Sequence, residues 1–222
     1  MTSRGRFIVF EGGEGTGKST QARLLAEALT RAGLPVVLTR EPGGAPGAEA
    51  LRHLLLEEPP EPPWSPLSEA LLHYAARSEH LDKTIKPALL AGRWVISDRF
   101  ADSTAAYQGA GLALPAEVFE RLRALVVSAW EPDLTLVLDL DVEEGMRRAL
   151  ARSAAGDRYE RMERSFHERV RASFLALAGR SAERYAVIDA AAPAPDVHQA
   201  VRHALSERLG IKEIGRDGAA RA

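Results

Sequence analysis

Short apolar runs alternate along the chain with amphipathic stretches. Residues 7–10 (FIVF), 35–39 (PVVLT), 94–98 (WVISD), 134–139 (LTLVLD) and 185–189 (YAVID) are too short and too evenly apolar for surface helices. The first reads as a buried strand and the others as further strands. The intervals carry a helical period. Ala22, Leu25, Ala26 and Leu29 lie on one face of a first helix, which stops near Arg31-Ala32-Gly33. A second helix spans 48–56. A proline-rich connector at 59–66 leads into a helical region over 67–90, with a break expected near Asp82 or at Pro87. Pro115 opens a helix with Val118, Leu122, Leu125 and Val126 on one face. Phe119, Val127 and Trp130 widen that face enough to call for burial on two sides, in the core or against another subunit.

Asp141 and Glu144 have the spacing of a capping box at the next helix start. The small, basic, glycine-containing stretch 147–158 has the composition of a mobile flap. A helix rich in Arg and Glu then runs to about Gly179, and a last helix covers 197–209. No internal repeat is present. The pattern predicts an α/β fold, a five-stranded parallel sheet covered by helices on both faces. It forms one domain over 1–210 with a flap at about 148–160, followed by a frayed tail at 211–222. Ligands of such sheets sit at the carboxyl ends of strands, where 12–19, Arg40 and Asp98 fall.

The most informative of these ends is Gly12-Gly13-Glu14-Gly15-Thr16-Gly17-Lys18-Ser19, between the first strand and first helix. It fits G-x-x-x-x-G-K-[ST], the nucleotide phosphate-binding loop of P-loop NTPases. Glycines let the backbone turn tightly and bring N–H groups to phosphate oxygens, and the helix adds its positive end. Lys18 would reach the β- and γ-phosphates, and the Ser19 hydroxyl would ligate Mg²⁺. Asp98-Arg99 closes the third strand. Its carboxylate can hold Mg²⁺ or its water, and the guanidinium can clamp a second phosphate, away from the 12–19 cradle. Ser103 to Gln108 mixes hydroxyl, phenol and amide groups that suit a sugar and base, although such residues are commonly solvated loop. His73 and Arg77 share a helix face at i, i+4 spacing. An imidazole there is expected to titrate near neutrality.

Composition narrows the class. A net charge of −2 without a long basic run does not indicate a nucleic-acid surface. The absence of cysteine excludes disulfides and thiolate metal sites. No 18-residue apolar stretch exists, so no membrane helix is expected. The first strand begins too early to leave room for a signal peptide, which makes the cytoplasm the expected compartment.

Together these segments resemble thymidylate kinases. The matching stretches, in order, are FEGGEGTGKS (10–19), TREPGG (39–44), LRHLLL (51–56), YAAR (74–77), IKPAL (85–89), DRF (98–100), STAAYQG (103–109), PDLTLVLD (132–139) and DRYE (157–160). The resemblance implies transfer of the ATP γ-phosphate to dTMP, giving dTDP in dTTP biosynthesis, on a nucleoside-monophosphate-kinase fold, with Mg²⁺ and as a homodimer. By position, it implies that Arg99 clamps the dTMP phosphate with help from Arg52, and that Arg77 binds a thymine carbonyl. Thr104 and Gln108 would contact the base, and Tyr107 would crowd the sugar 2′ position. Glu14 would face the acceptor sugar, and Arg148 would pack on adenine. His73 replaces the family's usual phenylalanine stacked on thymine. Gly15 stands where one subgroup carries a catalytic arginine. The other subgroup moves that arginine to the flap, where this chain has Arg152 and, as a second candidate, Arg158. Glu41 lies in the acceptor-side turn, with no role apparent.

Three other classes use a P-loop. A kinase of another nucleoside monophosphate would differ in its acceptor. A GTP-dependent switch usually reads guanine through Asn-Lys-x-Asp, and this chain has no asparagine. A motor-type ATPase would use Asp139 as its Mg²⁺ carboxylate.

Overall fold

A computed structural model describes residues 4–57, 61–152 and 158–211. The strands β1 (Phe7–Glu11), β2 (Val36–Arg40), β3 (Trp94–Asp98), β4 (Leu134–Asp139) and β5 (Tyr185–Asp189) form one parallel sheet. Their order is β2-β3-β1-β4-β5. β1 is central, with Phe10 in register with Asp98 on one side and Leu136 on the other. All five of its residues are buried. Side chains alternate across a strand, so β1 feeds two cores. Ile8 and Phe10 pack with Leu25, Leu29, Val201 and Leu205 of α1 (Lys18–Arg31) and α9 (Ala194–Leu209). Phe7 and Val9 pack on the opposite face with Tyr74, Leu81, Ile85 and Phe100. The expected five-stranded sheet with helices on both faces is therefore what the chain forms.

Some local expectations need correction. The region 67–90 does not break. It runs as α3 (Pro66–His80), a π-helical turn (Leu81–Ile85) and α4 (Lys86–Leu90). Pro87 falls in the first turn after the widened stretch, where its missing N–H costs little. The helix α2 (Pro46–Arg52) likewise continues into a π-helical turn, His53–Glu57. Residues 103–108 are not solvated loop. They belong to α5 (Ala101–Thr104) and the π-helical run Ala105–Gly111, and Thr104, Tyr107 and Gln108 are buried. Only half of the capping box forms: Asp141 Oδ1 accepts from the Glu143 amide at 2.9 Å, while Glu144 turns to Arg147 and Arg148.

The basic stretch begins inside α7 (Val142–Arg152). The rest of the expected flap up to residue 157, and the tail beyond 211, lie outside the described residues. α6 (Ala116–Val126) buries Phe119 but leaves Leu125 79% exposed, so one apolar edge stays open within this chain. The Arg- and Glu-rich helix is α8 (Arg164–Ala178), which packs Phe166, Val170 and Phe174 beside Val137 of β4.

α1 carries Lys18, and its anchor is the fully buried Leu25. Leu25→Ala should cost about 2–5 kcal/mol by lost transfer energy plus the cavity left behind. Urea denaturation followed by circular dichroism measures it, and an unchanged midpoint would show that α1 is not held through this side chain.

Candidate active site

The turn from β1 into α1 wraps the loop 12–19 around the first amides of a helix. Gly12 has φ 139°, and a Cβ on it would lie 2.4 Å from the Leu138 carbonyl oxygen. Gly15 has φ 68°, and its Cβ would lie 2.0 Å from the Gly145 oxygen in α7. An arginine at position 15 therefore has no room while α7 rests on the loop. Lys18 Nζ donates to Gly13 O at 2.5 Å and Thr16 Oγ1 at 3.2 Å. Burial, then the nearby Arg99 charge, lowers its pKa to about 8.

The Ser19 hydroxyl donates to Asp98 Oδ2. Hydroxyl and carboxylate thus meet at the mouth of the loop, a pair of hard oxygens suited to Mg²⁺, which takes few protein ligands beside phosphates and waters. Among the described residues no group of three or more His, Cys, Asp or Glu side chains could hold a metal by itself. Asp139 is bound at both oxygens by Arg171, at 2.7 and 3.0 Å. The carboxylate that a motor-type ATPase would need is thereby engaged.

Arg99 does not stand apart from the loop. Its backbone is left-handed at φ 71°. NH1 donates to Gly12 O at 3.1 Å, and NH2 to Glu14 Oε1 at 2.8 Å. The Tyr107 hydroxyl donates to the same Glu14 oxygen at 2.6 Å, and the Arg99 guanidinium lies 4.9 Å from the Tyr107 ring centre. Burial alone would raise the Glu14 pKa, but Arg99, Lys18 and the Tyr107 bond outweigh it and hold it at about 2. The expected separation of Arg99 from the cradle fails because the third strand ends beside the first, one sheet position away.

A cavity of about 420 Å³ opens beside this knot. That is the size of a small-ligand site. Glu14, Gly15, Gly17, Lys18, Ser19, Arg52, His73, Arg77, Asp98, Arg99, Thr104, Tyr107, Gln108 and Arg152 all line it. Gly12, Gly13 and Thr16 lie on the far side of the loop. Arg52 NH1 donates to Pro42 O at 2.8 Å. Arg148 is off the cavity, held by Glu144 at 2.7 Å and donating to the Ala190 carbonyl at 3.0 Å. The two candidate arginines of the flap differ. Arg152 pairs with Glu160 and is 63% exposed. Arg158 pairs with buried Glu69 at 2.5 Å and is 15% exposed.

Buried Glu11 and Glu69 have no place in the sequence reading, and buried Glu41 has a place there without a role. Glu11 accepts from the Phe100 amide at 2.9 Å, the Ser103 amide at 3.1 Å and the Ser103 hydroxyl at 2.7 Å, so it shapes the turn that carries Arg99. Burial, then the charge of Asp102, raises its pKa to about 8. Glu41 binds Arg77 Nε at 2.8 Å and His80 Nδ1 at 3.0 Å, both on buried side chains. Arg77 also donates to Thr104 Oγ1 at 3.2 Å and the Phe100 carbonyl at 2.9 Å. Glu69 accepts from Gln108 Nε2 at 2.8 Å and the Tyr159 hydroxyl at 2.6 Å. One signal was present in the sequence: Glu69 lies four residues before His73 and eight before Arg77, on the same face of α3.

The family model for thymidylate kinase matches residues 10–201. The chain belongs to the thymidylate kinase family. It is 50% identical to a thymidylate kinase of Caulobacter vibrioides, over 94% of this chain and all of that protein. It is 52% identical to one of Ruegeria pomeroyi, over 85% of this chain and 89% of that one. The crystal structure of a thymidylate kinase from Ehrlichia chaffeensis superposes with TM-score 0.73 at 36% identity, covering 91% and 99% of the two chains. Within this thymidylate kinase fold, the aromatic wall of the cavity is carried in part by His73, whose Nε2 lies 3.1 Å from the Tyr159 hydroxyl.

His73 does not titrate near neutrality as expected. Burial, then the charges of Arg77, Arg158 and Arg99, pushes its pKa down to about 3. The half-buried ring lines the cavity, and three nearby guanidiniums oppose a further positive charge there. The ring is therefore neutral from pH 6 to 8. The ratio of dTMP dissociation constants for the natural protein and His73→Phe should stay constant over that range in calorimetric titrations. A ratio that changes severalfold between pH 6 and 8 would show that the imidazole takes up a proton there.

Proposed function

We propose that the loop 12–19 holds MgATP while the adjoining cavity holds dTMP, with Arg99 between the two. The chain transfers the γ-phosphate of ATP to dTMP, giving dTDP and ADP on the route to dTTP. The observation that carries the residue-level reading is the contact of Arg99 with Glu14 and Gly12, which brings the acceptor side within hydrogen-bond distance of the phosphate loop.

A phosphate oxygen of dTMP attacks the γ-phosphorus in line as the bond to the β–γ bridging oxygen breaks, and ADP leaves. Little covalent chemistry falls to the protein, so its work is positioning and charge stabilisation. Lys18 and the loop amides hold the β- and γ-phosphates. Arg99, helped by Arg52, holds the acceptor phosphate. Arg77, Thr104 and Gln108 read the base, His73 stacks on it, Tyr107 crowds the sugar 2′ carbon, and Glu14 faces the sugar. Arg148 flanks adenine. Ser19 and Asp98 would hold Mg²⁺, which when bound neutralises charge on the phosphates. The open edge of α6, with Leu125, and the half-exposed Leu67 and Leu71 of α3 support a homodimer through this side. Among the described residues no helix is long and apolar enough to cross a membrane.

A coupled ADP-release assay across dTMP, dUMP, UMP, CMP, AMP and GMP tests this reading. Turnover should be highest with dTMP. Fast ADP release without any acceptor, or a preference for AMP or GMP, would contradict it.

Arg152 is the transition-state arginine in this reading, which puts the chain in the flap-arginine subgroup. Gly15 has no room for that side chain, and Arg158 is held inside against Glu69 off the cavity, whereas Arg152, paired with Glu160 but mostly exposed, lines the cavity from the end of α7. Arg152→Ala should lower kcat by about 10²–10³, the scale of losing one preorganised donor, and leave the dTMP KM little changed. Steady-state kinetics measure it, and turnover within threefold of the natural protein would remove the role from Arg152.

A further inference from the structure

Glu69 has no place in the reaction just described, yet it is fully buried at the back of the cavity wall and gathers two hydrogen-bond donors and one guanidinium charge. An ionised carboxylate accepts hydrogen bonds and donates none. Oε1 takes the proton of the Tyr159 hydroxyl at 2.6 Å and faces Gln108 Nε2 at 2.8 Å. Oε2 meets Arg158 NH2 at 2.5 Å as a charge contact.

These contacts fix the direction of the surrounding network. Were the Gln108 amide turned over, its oxygen would face the carboxylate at the distance its nitrogen now occupies, two acceptors with no proton between them. Tyr159 reinforces this. Its only proton goes to Glu69, so its oxygen accepts from Gln108 Nε2 at 2.9 Å and from His73 Nε2 at 3.1 Å. The neutral His73 therefore carries its proton on Nε2. Gln108 is left with Oε1, which meets no donor among the described residues, and Gln108 lines the cavity.

Arg77 lines the same cavity and has N–H groups beyond the three bonded to Glu41, Thr104 and Phe100. Donors and an acceptor on one wall match a ring edge on which a carbonyl adjoins an N–H. Thymine and uracil present that edge as O4 and N3–H. Cytosine presents an amine and a bare N3, which would set donor against donor and acceptor against acceptor.

We propose that Glu69 determines which pyrimidine edge this site reads, by holding the Gln108 amide with its carbonyl toward the base. The proposal rests on the reading in which the acceptor base lies against Gln108 and Arg77. Glu69 acts through Gln108 and is a positioning residue. It separates thymine and uracil from cytosine and is indifferent to the thymine methyl group, so dUMP is an internal control.

The test is kcat/KM for dTMP, dUMP and dCMP in the natural protein and in Glu69→Gln. An amide at position 69 can turn its own N–H toward Gln108 and allow Gln108 to reverse. The dTMP and dUMP values should fall together by about tenfold, while dCMP holds or rises. The preference for dTMP over dCMP then narrows at least tenfold, and the dTMP to dUMP ratio stays within twofold. A parallel loss for all three nucleotides, in a protein that remains a dTMP kinase before substitution, overturns this proposal alone. A natural protein with no dTMP turnover overturns the reading of the cavity and this proposal with it. One measurement needs no variant. Side-chain amide protons of Gln108, followed by ¹⁵N–¹H NMR in the natural protein, should stay protected from solvent exchange when dTMP binds. Loss of that protection on binding would mean that the bonds to Glu69 and Tyr159 do not hold the amide in the complex, and would overturn the proposal.

Discussion

The contact between the Arg99 guanidinium and the Glu14 carboxylate ties the two halves of the site together. Both side chains are largely withdrawn from water, at 17% and 9% exposure. Ions in that state are stable only when paired, and removing one partner of such a pair costs about 3–5 kcal/mol because the other is left buried and uncompensated. Lys18 adds a second positive charge to the same carboxylate, and Tyr107 adds a hydroxyl proton. Glu14 is thus the negative centre between two buried cations, Arg99 and Lys18. Its depressed pKa and the depressed pKa of Lys18 are two consequences of this crowding.

Behind that centre lies a layer of buried acid. Glu11, Glu41 and Glu69 are each at most 5% exposed. Each stands behind a group that faces the cavity: the Arg99 turn, the Arg77 fork and the Gln108 amide. An ionised carboxylate can only accept, so it dictates which way its neighbour's donors point, and Glu11 accepts from the Phe100 and Ser103 amides in either protonation state. The cavity lining is polar and versatile, but its directions are set one layer deeper. Functional side chains held this way lose little freedom on binding, which is the physical content of preorganisation.

The sheet was legible because its strands are short runs rich in β-branched and other apolar residues, and the phosphate loop because glycine spacing and the lysine leave few alternatives. The segment 101–111 was not, since polar contacts bury Thr104 and Gln108, and the rings that cover Tyr107 come from distant Tyr159, Phe166 and Phe174. π-helical turns have no signature of their own in the sequence, so Pro87 read as a break. Glutamates are seldom fully buried, and nothing local to Glu11 or Glu41 marks them as exceptions. The partnership of Arg99 with Glu14 spans 85 residues and follows from the adjacency of β1 and β3. Local pattern cannot supply strand order. Spacing put His73 on one helix face with Arg77 and the family resemblance put it in the site, but its charge state depended on Arg158 and Arg99, which only the fold brings near.

The central claim is that Arg99 serves both nucleotides, because it neutralises Glu14 at the edge of the phosphate loop. Calorimetric titration of Arg99→Ala with dTMP, and separately with a non-hydrolysable ATP analogue and Mg²⁺, tests it directly. Loss of the charge-assisted contacts should weaken dTMP by about tenfold or more. The unpaired Glu14 carboxylate, now facing incoming phosphates, should weaken the ATP analogue several-fold as well. Weakened dTMP binding with an unchanged affinity for the ATP analogue would show that the two halves of the site are electrostatically independent, and would contradict the account.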